Sequence, residues 1–196
     1  MLAEGIDAPM IEHAAMAAGM PAGPLAVLDE TSLSLSVQVM EQTRADAAAE
    51  GRRVRASAGE ALVERLVREF GRPGLAAGGG FYDYPPDGPK RLWPGLRSPF
   101  EKPGLVPDLA ELKQRLLYRQ SIEVARCLAE RVLTSVHEAN IGSIFGVGFP
   151  AWTGGAMQFI ASEGRDRFLV NADALAERHG ERFAISTEVR AAIAAT

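Results

Sequence analysis

The chain has 196 residues, 47% of them hydrophobic, with 21 Lys and Arg against 25 Asp and Glu for a formal net charge of -4. That is apolar material enough for one ordinary domain or two small ones, and it excludes an intrinsically disordered chain. The charges are mixed along the sequence with no basic stripe to track a phosphate backbone, so no nucleic-acid partner is expected.

A lone cysteine, Cys127, precludes an internal disulfide and fits a reducing compartment. No apolar run approaches the roughly 18 residues that a membrane span needs. The opening MLAEGIDAPMIEH carries acids where a secretory signal has a basic region and an apolar core. The expectation is a cytoplasmic protein with no membrane span.

Helix signals dominate the first block. Asp7 can cap a helix that starts near Ala8 and Pro9 and stops at Gly19. Pro21 and Pro24 force a turn, and Pro24 is placed to open a short second helix. Leu33, Val37 and Met40 follow at helical spacing, in a segment that runs through Ala47–Ala49 to Gly51. Ser57 and Glu60 form a capping-box pair ahead of Leu62, Val63, Leu66, Val67 and Phe70, with Gly71 as a left-handed stop.

Residues 71 to about 107 read differently. Glycine and proline are concentrated there, and neither helical nor strand periodicity survives for long. The segment nevertheless holds Phe81, Tyr82, Tyr84, Trp93 and Phe100, which need a surface to pack on. It reads as an ordered linker.

A second helical block begins at Asp108, with Glu111 as its capping partner. Leu109, Leu112, Leu116, Val124, Cys127 and Leu128 form an apolar stripe along about six turns. Ser135 and Glu138 cap a shorter helix that reaches Phe145. The turn GVGFPAWTGG leads to a helix over Ala156–Ala161, another runs from Arg165 to His179, and Ser186 opens a last one.

The two blocks resemble each other. Leu2-Ala3-Glu4 leads through a capped helix to Gly19-Met20-Pro21-Ala22-Gly23-Pro24. Leu128-Ala129-Glu130 leads through a capped helix to Gly148-Phe149-Pro150 and Gly154-Gly155, with about three extra residues. The second copy has a long helix ahead of its Leu-Ala-Glu and the first has none. A helix upstream of Met1 is therefore expected, the sequence reading as a piece of a longer protein.

The groups that most often carry chemistry find dull explanations. His13, His137 and His179 lie in helical stretches. Glu12 and Glu138 are neighbours of two of them, but adjacent residues on a helix do not face each other. No His-x-x-x-His and no cysteine pair suggests a metal, so none is expected. Gly146-Val147-Gly148 follows a helix where a dinucleotide fingerprint follows a strand, which makes a tight turn the better reading. Cys127 sits on an apolar stripe as a structural thiol. Trp152 and Phe159 read as core in preference to an acyl groove. The acidic balance and the lack of a basic recognition helix also argue against a helix-turn-helix regulator.

The stretch MLAEGIDAP with GMPAGPLAVLDETSLSL, including Val27-Leu28-Asp29, resembles the C-terminal domain of 3-hydroxyacyl-CoA dehydrogenases. So does GRPGLAAGGGFYDYPPDG, through Gly71, Arg72, Gly78, Gly80, Phe81, Tyr82, Asp83 and Tyr84. RLLYRQSIEVARCLAE with FGVGFPAWTGGAMQFI resembles the second copy of that domain, typical of the multifunctional fatty-acid oxidation enzymes. The implied fold is all-α: two similar helical domains of the kind at the C-terminus of 6-phosphogluconate dehydrogenase, packed as a pseudo-dimer, with little or no strand. The implied division is 1–84 for the first domain, 85–107 for a Gly/Pro-rich ordered linker and 108–196 for the second copy.

The activity implied is a step of β-oxidation, the NAD-dependent oxidation of an (S)-3-hydroxyacyl-CoA to the 3-ketoacyl-CoA. In the family a histidine oriented by a glutamate takes the hydroxyl proton, and both belong to an N-terminal nucleotide-binding domain. A substrate-holding asparagine lies upstream of the Leu-Ala-Glu-Gly segment, and its second-copy match is Gln114. No catalytic, cofactor-binding or metal residue is therefore carried over, NAD is expected only in the full-length enzyme, and the chain alone is expected to be inactive. Met20, Pro21, Gly23 and Pro24 are the cleft candidates, because this domain forms one wall of the family's substrate cleft. The implied partners are acyl-CoA, the nucleotide-binding domain and a thiolase subunit, with an enoyl-CoA hydratase as a further fused domain. Membership of a shorter 3-hydroxybutyryl-CoA dehydrogenase, or a non-catalytic role in dimerisation or docking, stays open.

Overall fold

A computed structural model describes residues 1–54, 56–100, 102, 104 and 106–195, the side chains at 98 and 99 excepted. The fold is all-α. The strands among the described residues, β1 (Tyr82–Asp83) and β2 (Arg91–Leu92), form a two-residue antiparallel ladder. The chain divides into two compact units, one of residues 1–13 and 22–107, the other of residues 14–21 and 108–196. Residues 85–107, read from sequence as a linker, thus count with the first unit, and three of them (101, 103 and 105) lie outside the described residues.

In the first unit, α1 (Ala8–Ala18) contributes its opening turns, ahead of α2 (Pro24–Thr31), α3 (Leu33–Ala49) and α4 (Ala58–Arg68). Pro24 stands at the first helical position of α2, where its missing N–H costs nothing. Between α2 and α3 the chain turns on Ser32, a non-glycine residue at φ 76, whose Oγ accepts from Leu35 N and so caps α3. At α4 the expected capping box is complete: Ser57 Oγ accepts from Glu60 N, and Glu60 Oε2 accepts from Ser57 N at 2.7 Å. That helix buries Leu62, Val63 and Leu66, and α3 buries Leu33 and Val37 in the packed α3–α4 pair. The segment after α4 ends in the short α5 (Arg97–Phe100).

The second unit is built on α6 (Leu109–Ala129), which packs against α7 (Val136–Val147), α8 (Ala156–Glu163) and α10 (Thr187–Ala194), with α9 (Arg165–His179) beside α8. Its core is aromatic. Tyr118 stacks on Phe168 with ring centroids 4.3 Å apart, and Phe159 meets both edge-on. Ala15, Ala18 and Met20 from the tail of α1 belong to this same core. The pairing of Asp108 with Glu111 differs from expectation. Asp108 caps α6 through Ala110 N at 2.9 Å, whereas Glu111 turns away to Arg178 and His179.

The two blocks that resemble each other in sequence pass through the same series of local features. A left-handed residue follows each Leu-Ala-Glu, Gly5 (φ 100) in one and Arg131 (φ 60) in the other. Left-handed glycines follow α1 and α7, at Gly19 and Gly148. Gly23 and Gly155 N-cap α2 and α8, helices of 8 residues each, and both helices end on a residue of nearly equal dihedrals: Ser32 (76, 116) and Gly164 (86, 120). Ser57 and Ser186 then cap α4 and α10.

Arg131 occupies a conformation that its counterpart fills with glycine. Arg131→Gly is expected to raise stability by about 0.5–1 kcal/mol, the relief of left-handed backbone less glycine's extra unfolded-state entropy. Urea denaturation reads this as a later midpoint at unchanged slope.

Candidate functional site

Two carboxylates, the buried Asp29 and the half-buried Glu12, organise the first unit. Gly23 brings no side chain to cap α2, so the free N–H groups at that helix start need a remote acceptor. Glu12, on α1, supplies it. Its Oε1 accepts from Leu25 N at 2.8 Å, and its Oε2 accepts from the Tyr82 hydroxyl at 2.6 Å. A Cβ added at Gly23 would fall 2.0 Å from Glu12 Oε2, so glycine there is the condition for this contact.

Asp29, one turn further along α2, is 1% exposed. A carboxylate so far from water is tolerable only when its lone pairs are filled. Oδ1 accepts from Phe81 N at 2.8 Å, and Oδ2 accepts from Tyr82 N at 2.8 Å and from the Tyr84 hydroxyl at 3.0 Å. A Cβ at Gly80 would lie 1.9 Å from Asp29 Oδ1, so only glycine lets the backbone come this close. Arg72 holds the same segment from its other side. Its guanidinium donates to Gly80 O, to Tyr82 O at 2.8 Å and to Asp83 Oδ1 at 2.7 Å, with its Cζ 4.4 Å from the centre of the Trp93 ring.

The result is a clasp that ties residues 72–84 across α1 and α2. Burial first, and then the hydrogen bond to Glu12, raises the pKa of the Tyr82 hydroxyl well above the ordinary phenol value. Burial and Asp29 do the same to Tyr84. Both hydroxyls are therefore fixed as donors. The chemistry of the arrangement is to position the Gly23–Pro24 helix start.

The four cleft candidates fall in both units. Met20 is 7% exposed in the core of the second unit, and Pro21 is exposed with its ring close to Gly148. Gly23 and Pro24 belong to the first unit, where they open α2 under Glu12. Also in that unit, Ala8, Pro9, Leu92, Trp93, Pro94, Leu96 and Arg97 line a small, largely apolar depression.

His13 and His137 are exposed. His179 has a carboxylate partner that sequence adjacency did not reveal: its Nε2 lies 3.0 Å from Glu111 Oε1. Arg178 engages the same carboxylate, so the trio clamps the C-terminal end of α9 to the start of α6. Gly148 is the left-handed end of α7, and Gly154 and Gly155 lead into α8. Asn140 fills that helix start, its Oδ1 accepting from Met157 N and Gln158 N at 3.0 Å each. A dinucleotide needs a strand leading into an open helix N-terminus. The residues present do not fit one.

Glu12 and Asp29 are the site residues to which the sequence reading gave no role, Asp29 having been named only within the Val27-Leu28-Asp29 likeness. The available signal was the glycine before each of α2 and α8, a helix start with no capping side chain of its own.

Residues 1–84 match the family model of the 3-hydroxyacyl-CoA dehydrogenase C-terminal domain. They are a C-terminal domain of that oxidoreductase family. The matched range closes at Tyr84, the last residue of the clasp, so the family's unit contains both carboxylates and every donor that fills them.

Asp29→Asn keeps the shape but presents an amide N–H₂ to a site filled by donors. A loss of about 2–3 kcal/mol is expected, read by urea denaturation. A raised tyrosine pKa gives stability that is complete below the unfolded value, 10.0, and is lost as pH climbs beyond it. Thermal melts should therefore fall above about pH 10, and Tyr82→Phe should flatten that fall while lowering stability at neutral pH.

Proposed function

We propose that this chain is the substrate-side and scaffold portion of an NAD-dependent 3-hydroxyacyl-CoA dehydrogenase, whose full-length form oxidises (S)-3-hydroxyacyl-CoA to 3-ketoacyl-CoA in fatty-acid β-oxidation. The observation that carries the reading is the family match over residues 1–84, ending where the clasp ends. Residues 108–196 are a second copy of the same helical domain, joined through 85–107, a reading supported by the shared series of left-handed residues, helix lengths and caps. A tandem of this kind points to the multifunctional members of the family, with a hydratase in the same protein.

In this reading the clasp has a task. Glu12 and Asp29 fix the start of α2, so that Gly23 and Pro24, the cleft candidates of the first unit, are held rigidly where they would border the acyl chain. A border of this kind shapes substrate binding without moving a proton. The histidine and glutamate that do so, and the dinucleotide, belong to a separate nucleotide-binding domain. These 196 residues alone have no turnover.

The test is complementation. The nucleotide-binding domain of a 3-hydroxyacyl-CoA dehydrogenase is supplied to this chain, in trans or fused ahead of it, and NADH loss is followed with acetoacetyl-CoA. Neither part alone should turn over, and the combination should. If the combination neither turns over nor binds acyl-CoA by calorimetry, the reading fails.

A further inference from the structure

Trp152 reads from sequence as a core residue, yet its side chain is 71% exposed. What holds so large an apolar group at the surface is its one polar atom. Indole Nε1 donates to Ala18 O at 2.8 Å. Ala18 is the last residue of α1, and the carbonyls of a helix's last turn have no donor within the helix. Residues 14–21 belong to the second unit together with Trp152, so the bond lies inside that unit.

Two glycines make room for this hold. Gly19 turns left-handed at φ 95, and a Cβ there would fall 2.6 Å from Trp152 Nε1. Gly148, left-handed at the end of α7, lies against the Pro21 ring, where an added Cβ would stand 3.0 Å from Pro21 Cγ. Met20, between them, is buried in the core that also contains Phe149. The turn that carries Trp152 is itself locked, Thr153 Oγ1 donating to Pro150 O at 2.7 Å and accepting from Gly155 N at 3.1 Å. Residues 148–155 thus grip residues 18–21 at both ends, and one hold is a directional hydrogen bond.

A helix end needs no tryptophan to close it. Gly19 N and Met20 N already donate to Met16 O and Ala15 O, which ends α1 by local means. The indole adds direction. It fixes the path of the chain leaving α1 toward Pro21, the exposed one of the two cleft candidates in the second unit. We propose, resting on the dehydrogenase reading, that Trp152 is a positioning residue for acyl-CoA binding, which sets where Pro21 borders the acyl chain. It touches no reacting atom, so it acts on affinity and leaves hydride and proton transfer alone.

Trp152→Phe keeps an aromatic ring and removes the donor. In the chain fused to a nucleotide-binding domain, KM for 3-ketodecanoyl-CoA is expected to rise about three- to tenfold, the worth of one hydrogen bond, with kcat and the KM for NADH unchanged. The rise for acetoacetyl-CoA should be smaller, since a short acyl chain reaches less of the border. In the 196-residue chain alone, amide exchange at Met20, followed by NMR, should quicken while that of α9 holds. A purely structural role gives a different pattern, because fewer active molecules lower kcat and leave KM as it was. That pattern overturns the proposal. So does an equal rise for both substrates, unchanged kinetics in a fusion whose wild type turns over, or unchanged exchange at Met20. A wild-type fusion without turnover sinks the dehydrogenase reading itself, and this proposal with it.

Discussion

The first unit depends on one buried negative charge. Asp29 has almost no contact with water, and a carboxylate in that position is strongly destabilising until its oxygens are filled. Its demand for three donors constrains the chain at residues 80–84, far along the sequence from α2. Two consecutive backbone N–H groups must approach along an otherwise bare backbone, so residue 80 is glycine. A tyrosine hydroxyl must complete the set, and Tyr84 provides it. Once the segment is drawn in, Phe81 is buried behind it at 1% exposure, and Arg72 closes the outer side. The polar contact and the apolar burial are formed by the same movement of chain, so each stabilises the other.

This explains which parts were legible in the sequence. The helices were, because their signals are local. Ser57 with Glu60, Ser135 ahead of α7 and Pro24 opening α2 each announce a boundary within four residues, and the apolar spacing of α4 and α6 gives the buried faces directly. The clasp was not legible as geometry. The bonds to Asp29 and the Tyr82–Glu12 bond join residues more than 50 positions apart, and a side chain bonded to backbone leaves no periodicity to read. The glycines at 78–80 stood out as part of a glycine- and proline-rich run, and the sequence does not state what approaches them. Glu12 looked like a neighbour of His13, and the helical geometry that separates adjacent residues is what sends it to the start of α2. Glu111 misled in the opposite sense. It stands where a capping box would place it, yet Asp108 caps alone and Glu111 is drawn to Arg178 and His179, a long-range competition that no local rule resolves.

The two units keep a common backbone device and differ in how they fill it. In both, the fifth residue of one helix reaches across to the start of the next, Glu12 to Leu25 N and Asn140 to Met157 N, and a glycine makes room for it. This is a cap supplied from outside the helix, and it fixes the angle between the two helices as well as satisfying the N–H. At the sixth residue of the following helix the units part. The first has Asp29, the second Ala161, which has no carboxylate to fill and is exposed. The second unit draws its large aromatics from its own helices instead, Tyr118 from α6, Phe159 from α8 and Phe168 from α9. The first takes Phe81 from the irregular segment after α4 and Phe100 from the end of the short α5.

That contrast bears on what each unit can do. The second unit's core is drawn mainly from its helices, with Phe149, Phe183 and Ile185 added from the short segments between them, and it holds no buried carboxylate. A core that needs residues 72–84 for its aromatic content and its buried charge is complete only when that segment is locked. The lock lies on the two helices that flank the Gly-x-Pro turn, since Glu12 is on α1 and Asp29 on α2. Stability and the placing of the Gly23–Pro24 helix start are therefore a single property of the first unit. A substitution that loosens the clasp loosens with it the helix start that Glu12 caps.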